Sequence, residues 1–263
     1  MMKIGIVVNS ESKRAEVLYS QITDYLKLKG HDLVDDKDLK NAKYIISLGG
    51  DGTLIHMSCE FAPLGVPFVG INTGNLGFLT AAEAEDWQVA VDKILDDKVF
   101  ISKRIILDAK VGKDEFRAIN EVVIKSLYRV VDLEIKVNGE EFLKITGDGV
   151  IISSQTGSTA YSLSAGGPIV DPALDCLLVT PINPIGLPIP SVVISPNDVV
   201  EVEIKKGEDI SLVIDGHEHT KLVADQTVIV SKGRYEVKFG YLDKYQFLKS
   251  LNAKFGLGSR AKG

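Results

Sequence analysis

The chain has 263 residues, 45% of them apolar and 25% charged, and a formal net charge of −6. That length supports one large domain or two smaller ones, each with a genuine core. The acidic balance argues against a polyanion-binding surface and makes nucleic acid an unexpected partner, although backbone dipoles can hold an anionic small ligand without a basic face.

The opening "MMKIGIVV" reads as a first strand rather than a signal peptide: one lysine precedes a short apolar run, and no small-residue cleavage site follows. Residues 11–29 place Ala15, Leu18, Ile22, Tyr25, Leu26 and Lys29 at helical spacing, and Gly30 ends the pattern. "KYIISL" (43–48) predicts a second buried strand, "TLIHMSCEF" (53–61) a helix, "VPFVGI" (66–71) a third strand and "EDWQVAVDKIL" (85–95) another helix. Strand and helix in alternation predict a parallel sheet wound with helices.

Near residue 100 the texture changes. "FISKRIILDAKV", "EFRAINEVVIKS", "RVVDLEIKV" and "EFLKITGDGVIISS" are strand-like, with Asn138-Gly139 marking a hairpin. After a loop of small residues (154–173) the strand pattern resumes in "DVVEVEIKK", "DISLVIDG", "HTKLVADQTVIV" and "RYEVKFG", with Asp215-Gly216 a second hairpin signal. The tail "DKYQFLKSLNAKF" (243–255) reads as a closing helix. The expected organisation is an α/β N-terminal domain over residues 1–100 and a β-rich domain over 101–242, with the segment 243–263 a candidate to pack back on the first.

No charge occurs between Asp175 and Asp198, but Pro181, Pro184, Pro188 and Pro190 would break a spanning helix repeatedly. That segment reads as strand, proline-rich loop and strand, so no membrane association is expected. Cys59 and Cys176 stand far apart without CxxC spacing, as free thiols of a cytoplasmic protein would.

Four features carry candidate chemistry. In "GGDGT" (49–53) a buried strand runs into a turn of Gly49, Gly50, Gly52 and Thr53 around one acid, Asp51. Glycines let backbone N–H groups approach a phosphate, and a following helix adds positive partial charge. An acid there suits proton acceptance or metal binding better than phosphate binding; the plainer alternative is an aspartate capping a helix that starts at Thr53. "SSQTGSTAYSLSAGGP" (153–168) brings hydroxyls and Tyr161 between two strands, suited to ribose, adenine edges or phosphate, or else it is a solvated linker. In "AINEVVI" (118–124), Asn120 and Glu121 point to opposite faces unless the strand breaks there, and the pair suits a sugar diol. Asp148, between two glycines, reads alone as a turn residue. His217 and His219 lack a third ligand at matching spacing and read as a solvated hairpin. The GxxxxGK[ST], GxGxxG and kinase HRD and DFG signatures are absent.

Together "GGDGTLI", "GINTGNLGFLT" (70–80), "INEVVI", "TGDGVIISSQTGSTAYSLSAGGPIVDP" and "TPINP" resemble the NAD kinase family in order and spacing, over essentially the whole chain. The resemblance implies an α/β domain joined to a β-sandwich domain with NAD bound between them. It implies phosphorylation of the 2′-hydroxyl of the adenosine ribose by ATP or inorganic polyphosphate, with a divalent metal such as Mg2+, in a homodimer or homotetramer. Asp51 then matches the general base or its orienting partner, and Asn120 and Glu121 match contacts to the adenosine part. Phe78, Thr159, Ala160, Tyr161 and Ser164 match residues around the dinucleotide, and Asp148 one that reaches a neighbouring subunit's ligand. The chain departs after "TPINP", where "IGLPIPSVVIS" has neither the His nor the Arg-Pro pair found in many family members. A lipid kinase sharing the GGDGT loop would lack the Asn-Glu strand and the GSTAY block, whereas a dinucleotide sensor without activity would keep the pocket and dispense with the acid.

Overall fold

The apolar run Lys3–Val8 forms a strand, β1, in the computed structural model of the chain, which describes residues 1–74, 77–186 and 188–256, the side chain of Asp36 apart. Contacts divide the chain into two units: Met1–Lys103 with the chain from Val237 onward, and Arg104–Glu236. In the first unit β1 is followed by helix α1 (Lys13–Leu28), β2 (Asp32–Leu33), β3 (Tyr44–Gly49), α2 (Asp51–Glu60), β4 (Phe68–Asn72), β5 (Ala82–Glu83) and α3 (Trp87–Leu95). Ser12 caps α1 by accepting the Ala15 N–H at 3.2 Å, and Gly30, at φ +74, lies just past its end, where a left-handed residue is needed. Ala15, Leu18, Ile22 and Leu26 form the buried stripe of α1. Lys29 stays exposed, its ammonium 5.0 Å from the centre of the Tyr25 ring.

The strands of this unit pair in parallel in the order β4–β3–β1–β2, with β5 continuing beside β4. The direction of winding reverses between β1 and β3, so the carboxyl ends of these two strands border the crevice where α/β sheets place ligands. β3 is buried along its whole length and delivers Gly49 to that edge.

The second unit contains β6 (Phe100–Val111, entering from the first unit), β7 (Asp114–Ala118), β8 (Glu121–Ser126), β9 (Val131–Val137), β10 (Glu140–Gly147) and β11 (Gly149–Ser154). A single 3-10 turn (Gly157–Thr159) and a short helix, α4 (Tyr161–Ser164), precede β12 (Leu177–Ile182), β13 (Val192–Ile194), β14 (Val200–Lys206), β15 (Ile210–Ile214), β16 (His217–Leu222) and β17 (Thr227–Tyr241). One sheet runs β10–β9–β14–β17 with β6 and β7 beyond β17; the other runs β13–β12–β11–β8–β15–β16. Alternate residues of both sheets, among them Leu133, Ile135, Val202, Val122, Ile152 and Leu212, form one buried core, as in a sandwich. Ile135 is fully buried there, so Ile135→Ala is expected to cost about 2–5 kcal/mol, read as a fall in the urea midpoint at constant slope.

Both hairpin signals are realised. Asn138 and Gly139 adopt φ 55 and 83, and Asp215 and Gly216 φ 46 and 86, with both central residues left-handed as a type I′ turn requires. Three strand-like stretches divide differently from the pattern. "EFRAINEVVIKS" is two strands, β7 and β8, in opposite sheets; "EFLKITGDGVIISS" is likewise β10 and β11, parted at Asp148. "HTKLVADQTVIV" splits between β16 and β17, and the latter absorbs "RYEVKFG" in one 15-residue strand. The end of β17 belongs to the first unit, where Phe239 pairs with Phe68, as does a closing helix, α5 (Gln246–Phe255). The rest of the tail placed with it, 257–263, lies outside the described residues. Among the described residues no helix is long and apolar enough to cross a membrane.

Candidate active site

Asp51 is not in a loop but is the first residue of α2, two positions earlier than the pattern predicts. Gly50, extended at φ −92 and ψ −172, is the N-cap, so Asp51, Gly52 and Thr53 make up the first turn, whose N–H groups have no intrahelical acceptor. Asp51 does not cap its own helix. Its Oδ2 accepts the Phe78 N–H at 2.6 Å and its Oδ1 the Leu79 N–H at 3.1 Å, fixing the carboxylate against the chain that follows β4. Gly77 permits this approach, since a Cβ there would stand 2.1 Å from Asp51 Oδ1. Gly49 likewise lies under Thr53, with 2.5 Å from a virtual Cβ to Thr53 Oγ1. Gly52 is exposed, whereas Gly50 and Thr53 are partly buried. The Phe78 ring packs on α5, 6.1 Å from the Phe255 ring and 3.9 Å from the Lys254 ammonium. Asn75 and Leu76 of the "GINTGNLGFLT" motif lie outside the described residues.

In the second unit the break between β7 and β8 is made by Asp215. Its carboxylate accepts three consecutive N–H groups, from Ile119 (2.8 Å), Asn120 (2.8 Å) and Glu121 (3.0 Å). These bonds replace the ladder that a continuous strand would need, which leaves Asn120 partly buried and Glu121 buried at the start of β8. Ser154 ties the small-residue loop to the same break: its N–H donates to Asn120 O at 2.9 Å, its hydroxyl donates to Ile119 O, and it accepts the N–H groups of Thr156 and Gly157 at 3.1 and 3.3 Å. Gly157 lies against Asn120, with 2.2 Å from a virtual Cβ to Asn120 O. Thr159, which ends the 3-10 turn, and Ala160, which joins it to α4, are partly buried, and Tyr161 packs with Ala165 on Val123, Ile151 and Ile182. β8 and β11 are therefore covered on both faces, which explains their unbroken apolar runs.

Burial, and then repulsion from Asp215, push the Glu121 carboxyl up to about 8, opposed by the Tyr161 N–H. Burial raises the Tyr161 phenol, reinforced by Asp148 and Glu121, and Lys125 lies 5.4 Å from its ring centre. Asp148 occupies the step between β10 and β11 and accepts an Asn183 Nδ2 hydrogen bond at 2.8 Å. Ser164 is exposed at the end of α4. No group of three or more His, Cys, Asp or Glu side chains able to hold a metal occurs among the described residues, and His219 stacks edge-on against Phe116 at 5.3 Å.

Residues 33–99 match the ATP-NAD kinase N-terminal domain and residues 119–241 the ATP-NAD kinase C-terminal domain. An NAD kinase of Fusobacterium nucleatum subsp. nucleatum is 34% identical over 263 residues, covering 98% of each chain. The chain belongs to the NAD kinase family. An NAD kinase of Symbiobacterium thermophilum is 39% identical over 218 residues, spanning 80% of this chain and 77% of that protein. An NAD kinase of Archaeoglobus fulgidus, solved in complex with ATP, superposes with a TM-score of 0.79 at 27% identity, covering 94% of this chain and 96% of that one. Yeast NADH kinase, solved with NADH, shares the fold at a TM-score of 0.84 and 20% identity, over 100% and 89% of the two chains.

The segment after Pro184, where the chain departs from the pattern of many NAD kinase family members, is tied to α4 through hydroxyls: Ser191 hydrogen-bonds Thr180 at 2.6 Å, and Thr180 bonds Ser162 of α4 at 3.0 Å. Leu187, in the same segment, lies outside the described residues. The first unit gathers Gly49, Gly50, Asp51, Gly52, Thr53 and the Phe78 main chain; the second gathers Asn120, Glu121, Thr159, Ala160 and Tyr161. Reading the sequence misses Asp215, which presents itself only as a turn residue, and Gly77, whose neighbour Phe78 draws attention to a ring rather than to an N–H. The usable signal for Asp215 is an acid in an Asp-Gly turn, but only the pairing of Ile214 with Val122 aligns it with the break.

Proposed function

We infer that the chain transfers a phosphoryl group from ATP to the 2′-hydroxyl of the adenosine ribose of NAD, giving NADP. The family membership and the named relatives support the reaction, and the observation that carries it is the Asp51 carboxylate, held by two backbone N–H groups at the start of α2. A ribose hydroxyl is a weak nucleophile near neutral pH, so a positioned carboxylate that accepts its proton as the bond to phosphorus forms lowers the barrier. The two N–H bonds orient Asp51 and leave lone pairs free for the hydroxyl. Gly49, Gly50, Gly52 and Thr53 would leave room for the donor phosphates against the uncompensated N–H groups of the helix start. Positioning and charge stabilisation would account for most of the rate.

A divalent cation, Mg2+, would neutralise charge on the donor phosphates. The ion would be held mainly by substrate oxygens, with at most the single carboxylate of Asp51, whose two oxygens each accept one backbone N–H and keep further lone pairs. Asn120 and Glu121, with Phe78, Thr159, Ala160, Tyr161 and Ser164, would bind the dinucleotide, and Asp148 would reach ligand in a neighbouring subunit of a homodimer or homotetramer. A cytoplasmic location fits the two free cysteines. The ATP complex of the Archaeoglobus relative supports ATP as donor, with polyphosphate the alternative. The test is to incubate purified protein with NAD, Mg2+ and either donor and to locate the new phosphate by 31P NMR. A 2′-phosphate from ATP is expected; phosphate on another hydroxyl, or none from either donor, would refute the reading.

A further inference from the structure

Two acids, Glu121 buried and Asp215 partly buried, flank the break between β7 and β8. Asp215 is enclosed by the N–H groups of Ile119, Asn120 and Glu121. Glu121 is 5% exposed, and its Oε2 has no hydrogen-bond partner among the described residues. Asp215 accepts the Glu121 N–H, and its charge opposes ionisation of the Glu121 carboxyl, so the two acids favour holding one proton between them. The donors decide where the charge resides. Three N–H groups favour the ionised form of Asp215, whereas ionising Glu121 would leave a charged oxygen bare in the interior.

We propose, on the reading of the site as an NAD-phosphorylating one, that Asp215 carries the single charge of this pair and that Glu121 is a neutral hydrogen-bond donor. Its carboxyl O–H donates to an acceptor atom of the adenosine moiety, a ribose oxygen or a ring nitrogen. Protonated Glu121 is thus the form that binds nucleotide, and Asp215 acts through it as a positioning residue, holding both the strand break and the proton.

The charged and titratable surroundings agree. Burial and then Asp215 raise Glu121 to about 8, while the Tyr161 N–H opposes the rise. Burial also raises Asp215, but its three backbone donors and His217 oppose that shift. From α4, Tyr161 faces Glu121 with its phenol raised, flanked by Asp148 and Lys125. For a carboxyl raised in the fold, the stability contributed by its proton is complete below the ordinary glutamate range. It is lost as pH rises toward about 8. Nucleotide affinity then falls by about tenfold per pH unit above that point.

The experiment titrates NAD affinity of the full chain by calorimetry from about pH 6 to about pH 10, with NADP formation assayed in parallel. Variants are Glu121→Gln, Asp215→Asn and His217→Gln. Wild type is expected to show the alkaline loss, Glu121→Gln to lack it, Asp215→Asn to move it to lower pH, and His217→Gln to retain it. In 13C-carboxyl NMR of the unliganded wild type, one glutamate signal should titrate near pH 8 and be missing from Glu121→Gln. Affinity that is flat with pH beside normal NADP formation, or glutamate signals that all titrate in the ordinary range, would overturn the proton assignment alone. No NADP formation by wild type at any pH would overturn the functional reading and the proposal with it.

Discussion

Asp51→Asn is expected to lower the rate of NADP formation by roughly 10²–10⁴-fold, the usual worth of a positioned general base. The amide is nearly isosteric and keeps one oxygen to accept from the chain after β4, where the native carboxylate accepts from both Phe78 and Leu79. The second N–H then faces an amide NH2, a loss of about 1 kcal/mol that leaves the fold intact. What disappears is the capacity to take a proton from a hydroxyl. The loss should therefore fall on kcat rather than on KM, since the proton moves only in the transition state. Turnover near the wild-type value would remove Asp51 from the role of base.

Gly77→Ala is expected to be nearly as damaging, with a stability cost of about 1 kcal/mol for each of the Phe78 and Leu79 N–H bonds to Asp51 that it breaks. A Cβ at residue 77 would stand 2.1 Å from Asp51 Oδ1 and 2.6 Å from its Cγ. The obstructed atoms are the end of a flexible side chain, so the carboxylate rotates away and the backbone stays. Displacing a reacting group by an ångström costs about 10²-fold in rate. Gly157→Ala makes the contrast, because its Cβ would meet the Asn120 carbonyl oxygen at 2.2 Å and the carbonyl carbon at 2.6 Å. There the backbone itself must shift, and roughly 1–3 kcal/mol of stability should be lost. Measuring kcat and the melting temperature for both variants separates the cases. Normal turnover in Gly77→Ala would mean that the carboxylate's fixed position is not what the reaction uses.

Much of this architecture is legible in the residues because local rules and burial agree. β1, β3 and β4 are unbroken apolar runs since the parallel sheet buries them, and Asn138-Gly139 and Asp215-Gly216 are hairpin turns since both positions need positive φ. The helix after β3 begins two residues earlier than its residue pattern indicates because aspartate is as acceptable at the first helical position as at a cap, and only its partners distinguish the two. Those partners are main-chain N–H groups of Phe78 and Leu79, which leave no trace in side-chain pattern. Asp215 was hidden for a different reason. It lies 94 to 96 residues from the N–H groups it binds, so its function exists only once β8 and β15 pair. The break that it enforces is why Asn120 lies between strands and Glu121 begins one, rather than the two alternating across a single strand.

The most direct single measurement is the initial rate of NADP formation from NAD, Mg2+ and ATP by purified wild type beside Asp51→Asn, read with an NADP-specific dehydrogenase. The account predicts steady product from wild type and at least about 10²-fold less from the variant. Equal rates from the two proteins, or no product from wild type, would contradict it.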